Sequence, residues 1–368
     1  MAFNFFKKKD KETPKKNDRY KKLTVRQVIK ATKDAVVIEF EKPDWEMTYT
    51  AGQFLTLICD INGESVRRAY SLCTSPLVDE YPAVAVKRVE GGKMSNFLNE
   101  SIKAGDTMEV LAPMGNFTTE VSADKKRHLI MFAGGSGITP MMGISKSILH
   151  AENDSIISLI YANRNLESVI FKQEFDALED KFEGRMHVIH VLDDAPLNWQ
   201  GESGLLNEDM LKKIFDRIPS WSQEQTQYLM CGPEGMMKNV EVALDSLSIP
   251  KENIFKESFV QGTIDKAEKS EAQTGAGNDY EVTILFDDEE HIFTVPADKT
   301  ILETALDKDI DLPFSCQSGL CTACRGRLLS GTVHLDEDEG LSDSEKEDGY
   351  VLTCVGHPTS ADVKIQIG

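Results

Sequence analysis

The sequence predicts a multidomain chain. A small antiparallel β-barrel comes first, then an α/β domain with a parallel sheet, then a short domain of strands and one helix built around a cysteine loop. Three observations predict it. Between about residues 20 and 120, short strand-like runs follow one another with turn residues between them and no long helical stretch. Between 128 and 260, apolar strand-like runs alternate with segments of helical spacing. From 279 onward, two alternating strands and a short helix lead into Cys316, Cys321 and Cys324, with Cys354 far downstream. A chain of 368 residues has room for domains at 19–122, 123–260 and 279–368, with a tail over 1–18 and a linker over 261–278.

In the first domain, Val36–Phe40 and Gln53–Cys59 read as strands, and Asn62-Gly63 marks a hairpin turn. Arg68-Ala-Tyr70-Ser71-Leu72 follows, then Val86-Lys-Arg-Val89 and Gly91-Gly92-Lys93-Met94-Ser95. Met94–Glu100 continues as a short helix. In the second domain, His128–Ala133 has the apolar content of a buried strand and runs into Gly134-Gly135-Ser136-Gly137-Ile138-Thr139-Pro140. Helical spacing over 141–150 comes next. Strand, glycine turn and helix in that order form a phosphate-binding arrangement, because backbone N–H groups at the helix start point at the anion. Ser155–Tyr161, a helix over 169–182 and Met186–Val191 extend the alternation. Tyr228–Cys231 runs into Gly232-Pro233 and another helix, and Glu257-Ser258-Phe259 closes the domain.

Residues 261–278 are polar and small, and such a stretch cannot bury enough surface to fold by itself. Beyond it, Tyr280–Phe286 and His291–Val295 alternate as a hairpin across a charged turn. Thr300, with Glu303 three residues on, is a capping-box pattern opening a helix. The cysteines then have C-x4-C-x2-C spacing with a fourth, Cys354, after twenty-nine further residues. This is the plant-type [2Fe–2S] pattern: four thiolates must converge on two sulfide-bridged irons, three from a tight loop and one from a distant segment. A zinc site is the competing reading, but it favours two separated C-x2-C knuckles and only one is present. Disulfides are disfavoured in a chain without a secretory signal, since cytosolic thiols stay reduced. The expected compartment is therefore cytoplasmic.

Charge narrows the partners. The net charge is −20, and residues 279–368 hold 6 Lys and Arg against 20 Asp and Glu. Nucleic acid is thus excluded as a partner for most of the molecule. The acidic runs 287–290 and 336–339 are either a solvated face or a steering surface for a basic partner. Residues 1–30 carry 11 Lys and Arg against 3 Asp and Glu, and residues 1 to about 18 read as a disordered basic tail rather than a targeting signal. No apolar run reaches the ~18 residues of a membrane span.

The order of hairpin, helix, cysteine loop and late strand resembles the β-grasp of plant-type ferredoxins. The front two domains resemble the ferredoxin–NADP reductase superfamily, through R-x-Y-S at Arg68, Tyr70 and Ser71, the glycine turn at 134–140, and C-G-P at Cys231, Gly232 and Pro233. Met114–Phe117 is similar to the turn that closes that family's barrel. The resemblance implies FAD, NAD(P)H and a [2Fe–2S] cluster held by Cys316, Cys321, Cys324 and Cys354. It implies Arg68 on the flavin pyrophosphate, Tyr70 stacked on the flavin ring, Ser71 near flavin N5, and Gly92, Lys93, Met94 and Ser95 cradling the pyrophosphate. Gly135, Gly137 and Thr139 would hold the dinucleotide, with Cys231, Gly232 and Pro233 beside the nicotinamide and Glu257 and Phe259 covering the site. Ser71, Cys231 and Glu257 are the candidate catalytic residues. Arg164, with no acidic residue ending its strand, favours NADPH over NADH. Barrel, nucleotide domain and ferredoxin domain in this order look like reductase components of multicomponent oxygenases, so the expected partner is an oxygenase. The rival readings are a ferric or flavin reductase of the same fold, or a redox sensor in which the cluster controls binding.

Overall fold

The computed structural model describes residues 20–259, 278–338, 340–341 and 343–367. The tail expected over 1–18, and the expected linker apart from Asn278, lie outside the described residues.

The first unit runs β1 (Tyr20–Thr32), β2 (Ala35–Phe40), β3 (Phe54–Ile61), β4 (Glu64–Ser71), β5 (Ala83–Lys87), α1 (Lys93–Glu100) and β6 (Thr107–Met114). Its strands form one sheet in the order β4-β3-β6-β1-β2-β5, antiparallel throughout. Leu72, just past β4, bridges to Val84 of β5, and Cys73 N donates to Ala83 O at 2.9 Å. The two edges therefore meet, and the sheet curls into a barrel. Asn62 (φ 57°) and Gly63 (φ 81°) are both left-handed, which matches the twist of a two-residue hairpin and sets the β3–β4 register. Ile38, Phe40, Leu55, Leu57 and Val110 fill the interior.

The second unit runs β7 (His128–Gly134), α2 (Ile138–Ala151), β8 (Ile156–Asn163), α3 (Lys172–Lys181), β9 (Met186–Leu192), β10 (Glu202–Ser203), α4 (Glu208–Phe215), β11 (Thr226–Gly232), α5 (Glu234–Ser246) and β12 (Ile254–Ser258). The sheet is parallel throughout, in the order β10-β9-β8-β7-β11-β12. Every residue of central β7 is buried, as its unbroken apolar run requires. The helix expected from 169 starts only at Lys172. Phe171 takes φ 61°, a left-handed value that no helix tolerates, and Ile170 and Phe171 turn into the core instead.

The third unit runs β13 (Tyr280–Phe286), β14 (Glu289–Val295), α6 (Ile301–Asp307), β15 (Arg325–Ser330), β16 (Val333–Leu335), α7 (Asp343–Glu347), β17 (Tyr350–Leu352), β18 (Gly356–Pro358) and β19 (Val363–Ile367). Its main sheet has the order β14-β13-β19-β15-β17, with β13 and β19 parallel at the centre, which is the β-grasp arrangement. The charged turn is a left-handed pair, Asp287 and Asp288 (φ 55° and 61°). The capping box forms: Thr300 Oγ1 accepts from Glu303 N at 3.1 Å, and Glu303 Oε2 accepts from Thr300 N at 3.0 Å.

The barrel and the parallel-sheet unit share one apolar cluster, in which Ala51, Cys73 and Phe117 pack against Met141, Met142 and Ile144 of α2. Gly143 permits this approach, since a Cβ there would lie 2.7 Å from Thr74 O. Arg127, in the connection, ties the two together. Its Nη1 donates to Thr119 Oγ1 and to Gln227 Oε1, both at 2.7 Å, and its Nη2 donates to fully buried Glu152 at 2.6 Å.

Candidate functional site

The glycine turn after β7 meets the end of β11 at backbone distance. A Cβ on Gly137 would lie 2.0 Å from Cys231 O, and one on Gly134 would lie 2.5 Å from Pro233 Cδ. A Cβ on Gly232 would lie 2.9 Å from Gly134 N. Glycine at these positions thus lets the turn pack backbone to backbone against β11, at the carboxyl ends of two adjacent parallel strands, where open α/β sheets bind ligands. Gly135, at φ 53°, turns the chain into α2, and Thr139 Oγ1 donates to Ser136 O at 3.0 Å within the turn. The sequence reading singled out Gly135, Gly137, Thr139, Cys231, Gly232 and Pro233, and the fold brings them together.

Cys231 is fully buried and pairs in register with Glu257 on β12. Burial pushes the Glu257 carboxyl up to about 8, and its Oε2 is buried with no hydrogen-bond partner. The Cys231 thiol is pushed well up by burial and then by the nearby Glu257 carboxylate, so it stays protonated. Phe259 packs half-buried against the shared apolar cluster.

One contributor went unassigned at the level of sequence. Lys87 ends β5 with its Nζ 3.2 Å from where a Gly135 Cβ would stand, and its ammonium is pushed down by burial and by neighbouring Arg164. Lys87 therefore places a cation beside the glycine turn, within electrostatic reach of Arg164. The only signal in the sequence was a lysine at the end of a barrel strand, and its distance from 135 in the chain hid the contact.

On the barrel, Ser71 is buried and its Oγ has no hydrogen-bond partner, an open polar group that a ligand atom could satisfy. Tyr70 is half-buried, and burial raises its phenol pKa. Arg68 is exposed, with Nη1 donating to Arg67 O at 2.7 Å. Gly92 precedes α1, whose first N–H groups have no side-chain cap. Lys93 reaches away to Glu64 at 2.6 Å, whereas Met94 and Ser95 are buried and Ser95 Oγ accepts from Val89 N at 3.1 Å. At α1 the backbone, rather than these side chains, is free for a ligand.

The cysteine loop has a shape that glycine at 319 and 340 allows. Gln317 and Gly319 are left-handed (φ 56° and 75°), and a Cβ on Gly340 would lie 2.5 Å from Gly319 O. Ser318 N donates to Cys316 Sγ at 3.4 Å. Cys354 is brought in by Thr353, whose N and Oγ1 donate to Cys324 O at 3.2 and 3.0 Å, while its carbonyl accepts from Leu302 N at the start of α6. Cys321 and Cys354 push the Cys316 thiol far down, and their own thiols are pushed up in turn. Among the described residues no three His, Cys, Asp or Glu side chains close on a single ion-sized point. A two-iron cluster does not ask for that, since its four thiolates are shared between two irons.

Comparison with known proteins bears on each unit. Residues 21–119 match the oxidoreductase FAD-binding domain, 131–241 the oxidoreductase NAD-binding domain, and 284–359 the 2Fe-2S iron-sulfur cluster binding domain. The chain is 34% identical to a component of the 1,2-phenylacetyl-CoA epoxidase of Escherichia coli (strain K12), over 93% of this chain and 96% of that one. It is 36% identical to the ferredoxin reductase component of 3-ketosteroid-9-alpha-monooxygenase from Rhodococcus rhodochrous, over 94% and 96%. Among solved structures, phthalate dioxygenase reductase shares the fold, with a TM-score of 0.58 and 24% identity over 95% of this chain and 98% of that one. With FAD-binding, NAD-binding and [2Fe–2S] domains in one chain and relatives of this kind along nearly its whole length, the protein belongs to the ferredoxin–NADP reductase-type electron-transfer oxidoreductases that serve as reductase components of oxygenases.

Proposed function

We propose that the chain draws a hydride from NADPH and delivers the electrons singly, through its own cluster, to an oxygenase component in the cytoplasm. The observation that carries this reading is the close backbone packing of Gly134–Gly137 on Cys231–Pro233 at the carboxyl ends of β7 and β11, beside buried Cys231 and half-buried Glu257. A bound FAD supplies the exchange between two-electron and one-electron chemistry.

The chain's part is to bind, orient and exclude water. Arg68 pairs its planar guanidinium with pyrophosphate oxygens, and Tyr70 offers a flat face to a flat ring. The Ser71 hydroxyl, without a hydrogen-bond partner among the described residues, would be left to satisfy flavin N5. The first N–H groups of α1, at Lys93, Met94 and Ser95 after Gly92, hold the flavin pyrophosphate. Gly135, Gly137 and Thr139 shape the turn that receives the dinucleotide, with Lys87 and Arg164 supplying charge. Cys231, Gly232 and Pro233 wall the nicotinamide, and Phe259 covers it. Glu257, neutral near pH 7, holds a proton at its carboxyl without placing a negative charge beside a hydride donor. Cys316, Cys321, Cys324 and Cys354 ligate the cluster.

Asn163 rather than an acid at the end of β8, with Arg164 next to it, favours a 2′-phosphate and hence NADPH. Four thiols kept reduced suit a cytoplasmic setting. The oxygenase partner follows from the names of the relatives. The domain division remains 19–122, 123–260 and 279–368. Cys321→Ser tests the electron order: NADPH-driven cytochrome c reduction is expected to disappear while ferricyanide reduction persists. Loss of both in a folded variant that retains FAD would overturn it.

A further inference from the structure

The cluster domain touches the barrel on both flanks of its cysteine loop. Upstream of Cys316, the Tyr20 hydroxyl donates to Asp311 Oδ2, and Arg67 Nη2 donates to Asp311 Oδ1 at 3.4 Å. The same guanidinium lies 4.5 Å from the centroid of the Phe314 ring and 5.3 Å from that of Tyr20. Downstream of Cys324, Arg325 donates to Glu345 Oε1, and that oxygen also accepts from Asn116 Nδ2 of the barrel. Phe314 stands two residues from Cys316, and Arg67 stands next to Arg68 on β4. Alternation along the strand turns Arg67 to the face opposite Arg68.

We propose that Arg67, with Tyr20, Asp311 and Phe314, is an internal docking seam that holds the cysteine loop against the flavin-binding strand, and that Arg67 is a positioning residue for electron transfer between them. The proposal rests on the reading in which β4 carries the flavin. Arg67 suits the task chemically. Its side chain is 16% exposed and that of Asp311 is 28%, so the pair is largely shielded from water and attracts more strongly than a surface pair. Its flat guanidinium meets a carboxylate at one edge and rings on its faces, a combination that an ammonium cannot reproduce. Arg67 Nη1 is buried with no hydrogen-bond partner among the described residues, and the guanidinium stacks near the Phe314 and Tyr20 rings.

The composition of the seam also sets its strength. Among the described residues, the apolar cluster of the cluster domain contains no barrel residue, whereas the barrel and the parallel-sheet unit share one. A contact made of a few polar and cation–π interactions, without common apolar burial, can open and close. A domain that receives electrons at one surface and gives them to another protein needs that property. With FAD and the cluster bound, each crossing would carry one of the two electrons that the hydride of NADPH supplies.

The test uses the full chain loaded with FAD and cluster. Asp311→Arg is expected to slow cluster reduction after mixing with NADPH by about tenfold or more. Flavin reduction and ferricyanide turnover should stay at wild-type rates. Combining it with Arg67→Asp should restore cluster reduction to within about threefold, because the swapped charges again attract. Independently of activity, amide hydrogen exchange at residues 20–25 and 311–316 should rise in Asp311→Arg and fall back in the double variant. A wild-type rate of cluster reduction in Asp311→Arg, or a double variant that regains neither rate nor protection, overturns the proposal. If Asp311→Arg does not load a cluster, Tyr20→Phe and Arg67→Met, both on the barrel, decide instead: slowed cluster reduction with raised exchange supports the seam, and wild-type behaviour in both sinks it. Wild-type protein whose flavin is reduced but whose cluster never is overturns the electron order as well, whereas wild-type behaviour in the variants removes only the seam.

Discussion

Glu257 shows how one residue acquires its chemistry from burial. Its carboxyl has no partner at Oε2 and sits beside a buried thiol, so the neutral form is favoured, with a pKa of about 8 against an ordinary 4.5. A carboxyl raised in the folded state favours folding fully below pH 4.5, and that advantage is lost as the pH climbs toward 8. In FAD-free protein, Glu257→Gln is therefore expected to match wild-type stability near pH 5 and to exceed it by a few kcal/mol above pH 8, read as urea midpoints. Equal pH profiles for the two proteins would show that Glu257 is charged when folded. The residue type and its place after a strand were legible in the sequence. Its desolvation was not, because that depends on neighbours from β11.

At the scale of elements, α2 carries the join between the barrel and the parallel sheet. A small residue at 143 lets the helix backbone approach Thr74 O, three residues past Ser71. Gly143→Leu is expected to cost about 1–3 kcal/mol by overpacking and to weaken FAD retention, because it pushes α2 away from the loop that follows Ser71. Gly235→Ala is the matched control. A Cβ there meets nothing within 4 Å, so the change in α5 should be neutral or stabilise by up to about 1 kcal/mol. Urea unfolding and flavin release measure both. Hairpins and caps were readable from sequence because Asn62-Gly63 and Thr300–Glu303 settle their own geometry within four residues. The start of α3 was not, since the left-handed Phe171 is held by packing in the core rather than by local preference.

Across the whole molecule, charge is distributed by domain. The cluster domain, with 20 acidic against 6 basic residues, presents a field that favours a basic partner. Cytochrome c reduction is expected to slow as ionic strength rises from about 10 mM to 150 mM, where the screening length shrinks from roughly 30 Å to 8 Å. Ferricyanide reduction, with an anionic acceptor, should not slow. A cytochrome c rate that ignores salt would remove the steering role. By itself the sequence determined the three-domain order, the C-x4-C-x2-C loop and the glycine turn, since each is written in short-range spacing that backbone geometry converts directly into shape. Tertiary structure alone decided that Lys87 reaches Gly135, that Gly143 seats α2 on the barrel, and that Arg67 meets Phe314. Those contacts join segments far apart in the chain, and only the closing of sheets and the packing of domains brings such segments together.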